Sequence, residues 1–193
     1  MMELASEAIV FAVKAHDGMR RKRAKVPYIL HPMEAAAIVG SLTDNQEVIA
    51  AAVLHDVVED TPITIEEVRE HFGERVAELV ASETEDKREG LPPEQTWRIR
   101  KEESIALLRA TKDIEVKMLY LGDKLANMRS LYQQWMQYGN AMWEGLGFHQ
   151  SDPKQHGWYY REIAKCLTEF SDTLAWKEYD ELIRIVFEEG RKQ

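Results

Sequence analysis

The chain has 193 residues, 45% of them apolar and 31% charged, with a formal net charge of −9. This length suits one domain with a sizeable core, and the acidic balance argues against nonspecific nucleic-acid binding, which needs a basic surface to displace counterions. The single cysteine, Cys166, excludes an intramolecular disulfide framework and a thiolate zinc cluster and points to a reducing, cytoplasmic setting; no stretch approaches the roughly 20 uninterrupted apolar residues of a membrane span.

In chain order, Leu4, Ala8, Phe11 and Ala12 predict an amphipathic helix over about 2–16. Its acids and its lack of a basic leader read as structure, not as a signal peptide. An irregular stretch over about 17–30 follows, in which Arg20-Arg21-Lys22-Arg23-Ala24-Lys25 gathers five cations in six residues. Further helices are expected at about 32–41, 45–59, 64–72, 74–84, 93–110, 113–133, 136–146, 154–170 and 172–190. Asp44 with Glu47 and Thr64 with Glu67 have capping-box spacing, Pro32 and Pro93 suit first-turn positions, and Gly73 suits a helix end. Strand-like alternation is hard to find. The prediction is an all-α, single-domain bundle with short connections, rich in C-terminal aromatics (Trp135, Trp143, Trp158, Tyr159, Tyr160, Trp176) that read mainly as core.

The chemistry concentrates in Ala-Ala-Val-Leu-His-Asp-Val-Val-Glu-Asp, where four ionisable groups interrupt an apolar run. At about 100° per helical residue, His55, Asp56, Glu59 and Asp60 share one face, and a divalent cation would compensate buried carboxylate and imidazole together. The alternative is a solvated patch at a helix end. His31, just before Pro32, lies at a helix start from which a side chain can reach a neighbouring helix, or else acts as a cap. Asp123 follows the apolar run Met-Leu-Tyr-Leu-Gly, or else pairs at the surface with Lys124 or Arg129. Two imidazoles and two carboxylates form a mixed nitrogen and oxygen set suited to Mn²⁺ or Fe²⁺, with Zn²⁺, Co²⁺ and Ni²⁺ also compatible. The other His-Asp dipeptide, His16-Asp17, lacks the apolar run and the following Glu-Asp, and is read as a decoy.

Arg21-Lys22-Arg23, Pro27-Tyr28-Ile29-Leu30-His31-Pro32, Leu54-His55-Asp56-Val57-Val58-Glu59-Asp60-Thr61, Phe72-Gly73 and Gly122-Asp123-Lys124-Leu125-Ala126-Asn127-Met128-Arg129 occur in that order. The pattern resembles the HD-domain metal-dependent phosphohydrolases, and within them the hydrolase domain of the RelA/SpoT family. The resemblance covers about residues 15–131, leaving about 132–193 as additional C-terminal helices. It implies a Mn²⁺-dependent hydrolase of the stringent response that removes the 3′-pyrophosphate of guanosine tetra- or pentaphosphate. His31, His55, Asp56 and Asp123 are then the metal ligands, and Glu59 and Asp60 the catalytic pair acting on a water at the metal. Lys22, Arg23, Lys87, Asn127 and Ser130 match substrate-contacting positions. Lys22-Arg23 reverses the family's usual Arg-Lys order, and Ala24 stands where a Ser is usual, so base selectivity is expected to be weaker. The implied partner is a small nucleotide, without nucleic acid or membrane. The rival readings are an HD-type phosphatase for another nucleotide or dinucleotide, and a non-catalytic alarmone sensor.

Overall fold

The computed structural model describes residues 2–21, 25–88, 90–144 and 152–188. These residues form the helices α1 (Leu4–Ala15), α2 (Leu30–Val39), α3 (Gln46–Leu54), α4 (Val57–Asp60), α5 (Ile65–Phe72), α6 (Glu74–Glu83), α7 (Pro93–Ala110), α8 (Ile114–Tyr138), α9 (Pro153–Cys166) and α10 (Leu174–Phe187). Short 3₁₀ turns cover Gly139–Trp143 and Thr168–Phe170. No strand occurs among the described residues, and an isolated bridge joins Arg20 to Pro27. The fold is all-α, as expected.

The helices group into two compact units, one of Met1–Thr84 with Asp113–Ala126, the other of Glu85–Lys112 with Asn127–Gln193. The first is built around α3. Val48, Ala50, Ala51, Ala52, Val53 and Leu54 are all buried, so this helix is apolar on every side and must be covered all round. Helices α1, α2 and α6 pack on it, and α5 packs on α6. Small residues on the facing helices, among them Ala8, Ala12 and Ala35, keep the axes close. Gly122 extends this logic: a Cβ there would lie 2.6 Å from Val39 Cγ2 and 2.9 Å from the Ala35 carbonyl oxygen, so the first half of α8 can lie against α2 only without a side chain. Arg75 closes the unit's edge by donating to Asp113 Oδ2 at 2.7 Å and to Glu115, which also accepts from Asn45 Nδ2 at 2.9 Å.

Several local expectations change. The helix expected at 45–59 ends at Leu54, and His55 and Asp56 form a turn before the single turn of α4. Asp56, at φ −92° and ψ −5°, lies in the bridge region that closes a turn. The cap of α3 is Asn45, not Asp44, and its side chain accepts from the Glu47 N–H. Thr64 and Glu67 do form the expected capping box, and Gly73 ends α5 with φ 89°. Ranges 113–133 and 136–146 merge into α8 and its 3₁₀ extension, because no breaker separates them before Gly139 at φ 55°.

In the second unit α9 packs on α7 and α10. Its core is aromatic, with Trp97, Trp143, Tyr159, Tyr160, Tyr179 and Phe187 buried. The Tyr179 hydroxyl donates to the Tyr160 carbonyl at 3.1 Å. Arg129 braces this unit through Glu178, with Nε and Nη2 both 2.6 Å from its carboxylate.

Candidate metal centre

The four expected ligand residues converge in the first unit. His31 Nε2 lies 3.0 Å from Asp123 Oδ1 and 3.6 Å from Asp56 Oδ2; His55 Nε2 lies 3.2 Å from Asp56 Oδ2 and 3.5 Å from Asp123 Oδ1. The atoms thus form a closed ring in which nitrogen and oxygen alternate. Ligands about 2.1 Å from one cation stand roughly 3.0–3.4 Å apart at neighbouring positions; the edges of 3.0 and 3.2 Å fall in that range and those of 3.5 and 3.6 Å lie just beyond it, and His31, His55 and Asp123 offer ligand atoms all within 4.8 Å of one another. His31, His55 and Asp123 are buried, whereas Asp56 is half-buried.

Local structure explains each placement. His31 is in the first turn of α2, ahead of the Pro32 ring. His55, still helical at φ −55° and ψ −36°, and Asp56 lie in the turn after α3, and their side-chain ends meet with Nε2 3.2 Å from Oδ2. Gly122 brings α8 against α2 and carries Asp123 to His31.

The donor set fits a divalent cation. His55 Nδ1 is 2.8 Å from the Ala52 carbonyl, which assigns the ring proton to Nδ1 and leaves Nε2 to face the ring's centre; this is how metal-binding imidazoles are usually held. Nε2 is buried, 3.2 Å from Asp56 Oδ2 and 3.5 Å from Asp123 Oδ1. Electrostatics point the same way. Burial alone would lower the His55 pKa, but Asp56 and Asp123 outweigh it and hold it well above its ordinary value. Burial likewise opposes ionisation of the two carboxylates, and the cations beside them win: His55 and His31 keep Asp56 low, and Lys124 with both imidazoles keeps Asp123 low. The centre therefore calls for positive charge.

Glu59 and Asp60 are half-buried on α4, directly beyond the candidate ligands His55 and Asp56. Asp60 Oδ2 accepts from the Tyr28 hydroxyl at 2.7 Å, and the same hydroxyl is 2.7 Å from Asp56 Oδ2. Of the expected substrate contacts, Lys22 and Arg23 lie outside the described residues, as does Ala24. Lys87 is exposed after α6, and Asn127 and Ser130 follow Asp123 along α8 by one and two turns.

Three residues were missed from the sequence. Tyr28 was visible only as part of a motif. His16, set aside as a decoy, is no ligand by distance, yet it is buried with its ring 5.0 Å from that of Tyr28 and both nitrogens without a hydrogen-bond partner. Glu83 is a buried carboxylate 3.5 Å from Lys124 Nζ, and Lys124 also bonds Asp123. Its signal was a Glu within the apolar face Val76, Leu79, Val80 of α6.

Residues 8–142 match the family model described as HD domain. The chain is 40% identical over 132 residues to the guanosine-3′,5′-bis(diphosphate) 3′-pyrophosphohydrolase MESH1 of Xenopus tropicalis, covering 66% of this chain and 69% of that protein. It is 38% identical over 130 residues to the guanosine-3′,5′-bis(diphosphate) 3′-pyrophosphohydrolase of Aquifex aeolicus (strain VF5), covering 67% of this chain but spanning only 18% of that longer protein's length. Among solved structures, a metazoan ortholog of SpoT that hydrolyzes ppGpp and plays a role in starvation responses superposes with a TM-score of 0.76 at 28% identity, covering 96% of both chains. A Listeria monocytogenes EGD-e protein superposes with a TM-score of 0.68 at 32% identity, covering 81% of this chain and 98% of the other.

Proposed function

Because the chain belongs to the HD-domain family, we propose that it is a metal-dependent hydrolase removing the 3′-pyrophosphate of guanosine tetra- or pentaphosphate, to give pyrophosphate and GDP or GTP. The observation that carries this reading is the closed ring of two imidazole nitrogens and two carboxylate oxygens, 3.0–3.6 Å apart along its edges, with an acidic pair one helical turn beyond it. The relatives' names supply the substrate.

His31, His55, Asp56 and Asp123 would hold the cation, for which Mn²⁺ suits the nitrogen and oxygen set. When bound, it supplies Lewis acidity that activates water and draws charge from a phosphoryl oxygen. The remaining steps belong to the chain. Glu59 takes the proton of the attacking water as its oxygen bonds to phosphorus; as the bond from phosphorus to the ribose 3′ oxygen breaks, the Glu59–Asp60 pair returns a proton to that leaving oxygen. Lys22, Arg23 and Lys87 are assigned to phosphate contacts, and Asn127 and Ser130 to the nucleoside, on the strength of the family resemblance. In this reading residues 1–193 act as one cytoplasmic hydrolase domain with a free nucleotide, not nucleic acid, as partner.

The test is turnover by purified protein with Mn²⁺ across guanosine tetraphosphate, its adenosine counterpart and simple 3′-phosphorylated nucleotides. Pyrophosphate release from the guanosine substrate is expected. Glu59→Gln and Asp60→Asn should keep a full equivalent of metal and bind substrate while turnover falls about 10²–10⁴-fold. Binding of the guanosine substrate without any turnover by the natural protein would convert the reading to a sensor, and turnover confined to another nucleotide would convert it to a different phosphatase.

A further inference from the structure

Tyr28 stands outside the ligand set yet touches both halves of the centre. Its hydroxyl oxygen is 2.7 Å from Asp56 Oδ2, a ligand atom, and 2.7 Å from Asp60 Oδ2, on the catalytic pair. A phenol carries one proton, whereas ionised carboxylates only accept, so full hydrogen bonds to both oxygens cannot exist at once. Rotation about the C–O bond moves that proton from one acceptor to the other.

The rest of the side chain is fixed. The Tyr28 backbone N–H donates to the Met19 carbonyl at 3.0 Å, and its ring is wedged between the His16 ring at 5.0 Å and the edge of His31 at 6.1 Å. Arg21 lies over the ring, 5.7 Å from its centroid. A phenol keeps its proton at neutral pH, so the hydroxyl remains a donor throughout. The direction of one O–H bond is the freedom left.

We propose that Tyr28 is a positioning residue that couples occupancy of the metal centre to the setting of Asp60. When Asp56 Oδ2 gives its charge to a cation, it becomes the poorer acceptor, and the hydroxyl turns to Asp60 and holds that carboxylate for the water. When Asp56 carries its full charge, the proton returns to it and Asp60 loses this hydrogen bond. This inference rests on the metal-dependent hydrolase reading above. It makes Asp56 and Asp60 rivals for a single proton, and the coupling must be reciprocal: replacing the charged acceptor at position 60 by the weaker, neutral amide oxygen of Asn has to change cation affinity through Tyr28.

The experiment is a cycle of four proteins: natural, Tyr28→Phe, Asp60→Asn and the double variant. Tyr28→Phe keeps the ring and its packing. Mn²⁺ affinity is measured by calorimetry without substrate, and kcat and KM are measured separately with guanosine tetraphosphate. Asp60→Asn should cost about fivefold more Mn²⁺ affinity with Tyr28 present than with Phe at that position, since the loss of Asp60's charge alone acts equally in both backgrounds. Tyr28→Phe should lower kcat about tenfold at nearly constant KM, and should lower it no further once Asp60 is Asn. Equal affinity losses in the two backgrounds, or equal kcat losses, overturn the coupling and leave Tyr28 a packing residue. Absence of Mn²⁺ binding by the natural protein overturns the metal reading and this inference together, so the two failures are distinguishable.

Discussion

Glu83 ends α6 with its side chain buried, and the Lys124 ammonium 3.5 Å away is shared with Asp123. Burial, only partly offset by Lys124, raises its pKa from 4.5 to about 7. Between those values the folded protein keeps a proton that the unfolded chain has released, so Glu83's contribution is full below about pH 4.5, declines as pH rises through 7, and is constant above. Glu83→Gln holds a neutral side chain at every pH, and its Tm relative to the natural protein should therefore climb between pH 4.5 and about 7. A difference that stays flat across that window would mean that Glu83 is charged in the folded state even in mild acid. The candidate ligand residues were legible because each follows or interrupts an apolar run where a charge needs compensation. Glu83 and His16 were not, because their meaning lies in contacts with segments distant in the chain: Glu83 with Lys124, His16 with Tyr28.

At the scale of elements, two devices assemble the centre: the turn between α3 and α4, and the close approach of α8 to α2. The sequence revealed the helices, since 3.6-residue periodicity and capping boxes are local. It concealed the turn, because Val53, Leu54, Val57 and Val58 continue the apolar pattern across it and periodicity registers burial, not backbone angle. The approach is testable through Gly122→Ala. Replacing a mid-helix Gly gains about 1 kcal/mol of helix propensity, whereas overpacking costs about 1–3 kcal/mol. Here the new Cβ would meet the Ala35 carbonyl oxygen at 2.9 Å, and backbone cannot rotate away, so strain should win. The expected result is a lower Tm together with weaker Mn²⁺ binding, because Asp123 must move with Gly122. A Tm that rises, with unchanged metal affinity, would show that the helices have slack.

Across the whole molecule, all four proposed ligand atoms belong to the unit of Met1–Thr84 and Asp113–Ala126. A cation that binds only the folded centre stabilises by mass action, about 2.7 kcal/mol at 100 times its Kd, and should do so where its ligands are. Hydrogen exchange with and without saturating Mn²⁺ should show protection gained chiefly in α2, α3 and residues 114–126, and no gain there in Asp123→Ala. Equal gains in α7, α9 and α10 would contradict this localisation. The space beside Ala35 also bears on how such centres are recognised in other chains. An Asp after an apolar helical run is a common event, but one preceded by Gly, opposite a helix that begins with His-Pro, records a helix contact as well as a ligand. In this chain a bulkier residue before Asp123 would part α8 from α2 and carry the carboxylate away from His31, so the small residue guards the centre as much as the charged one.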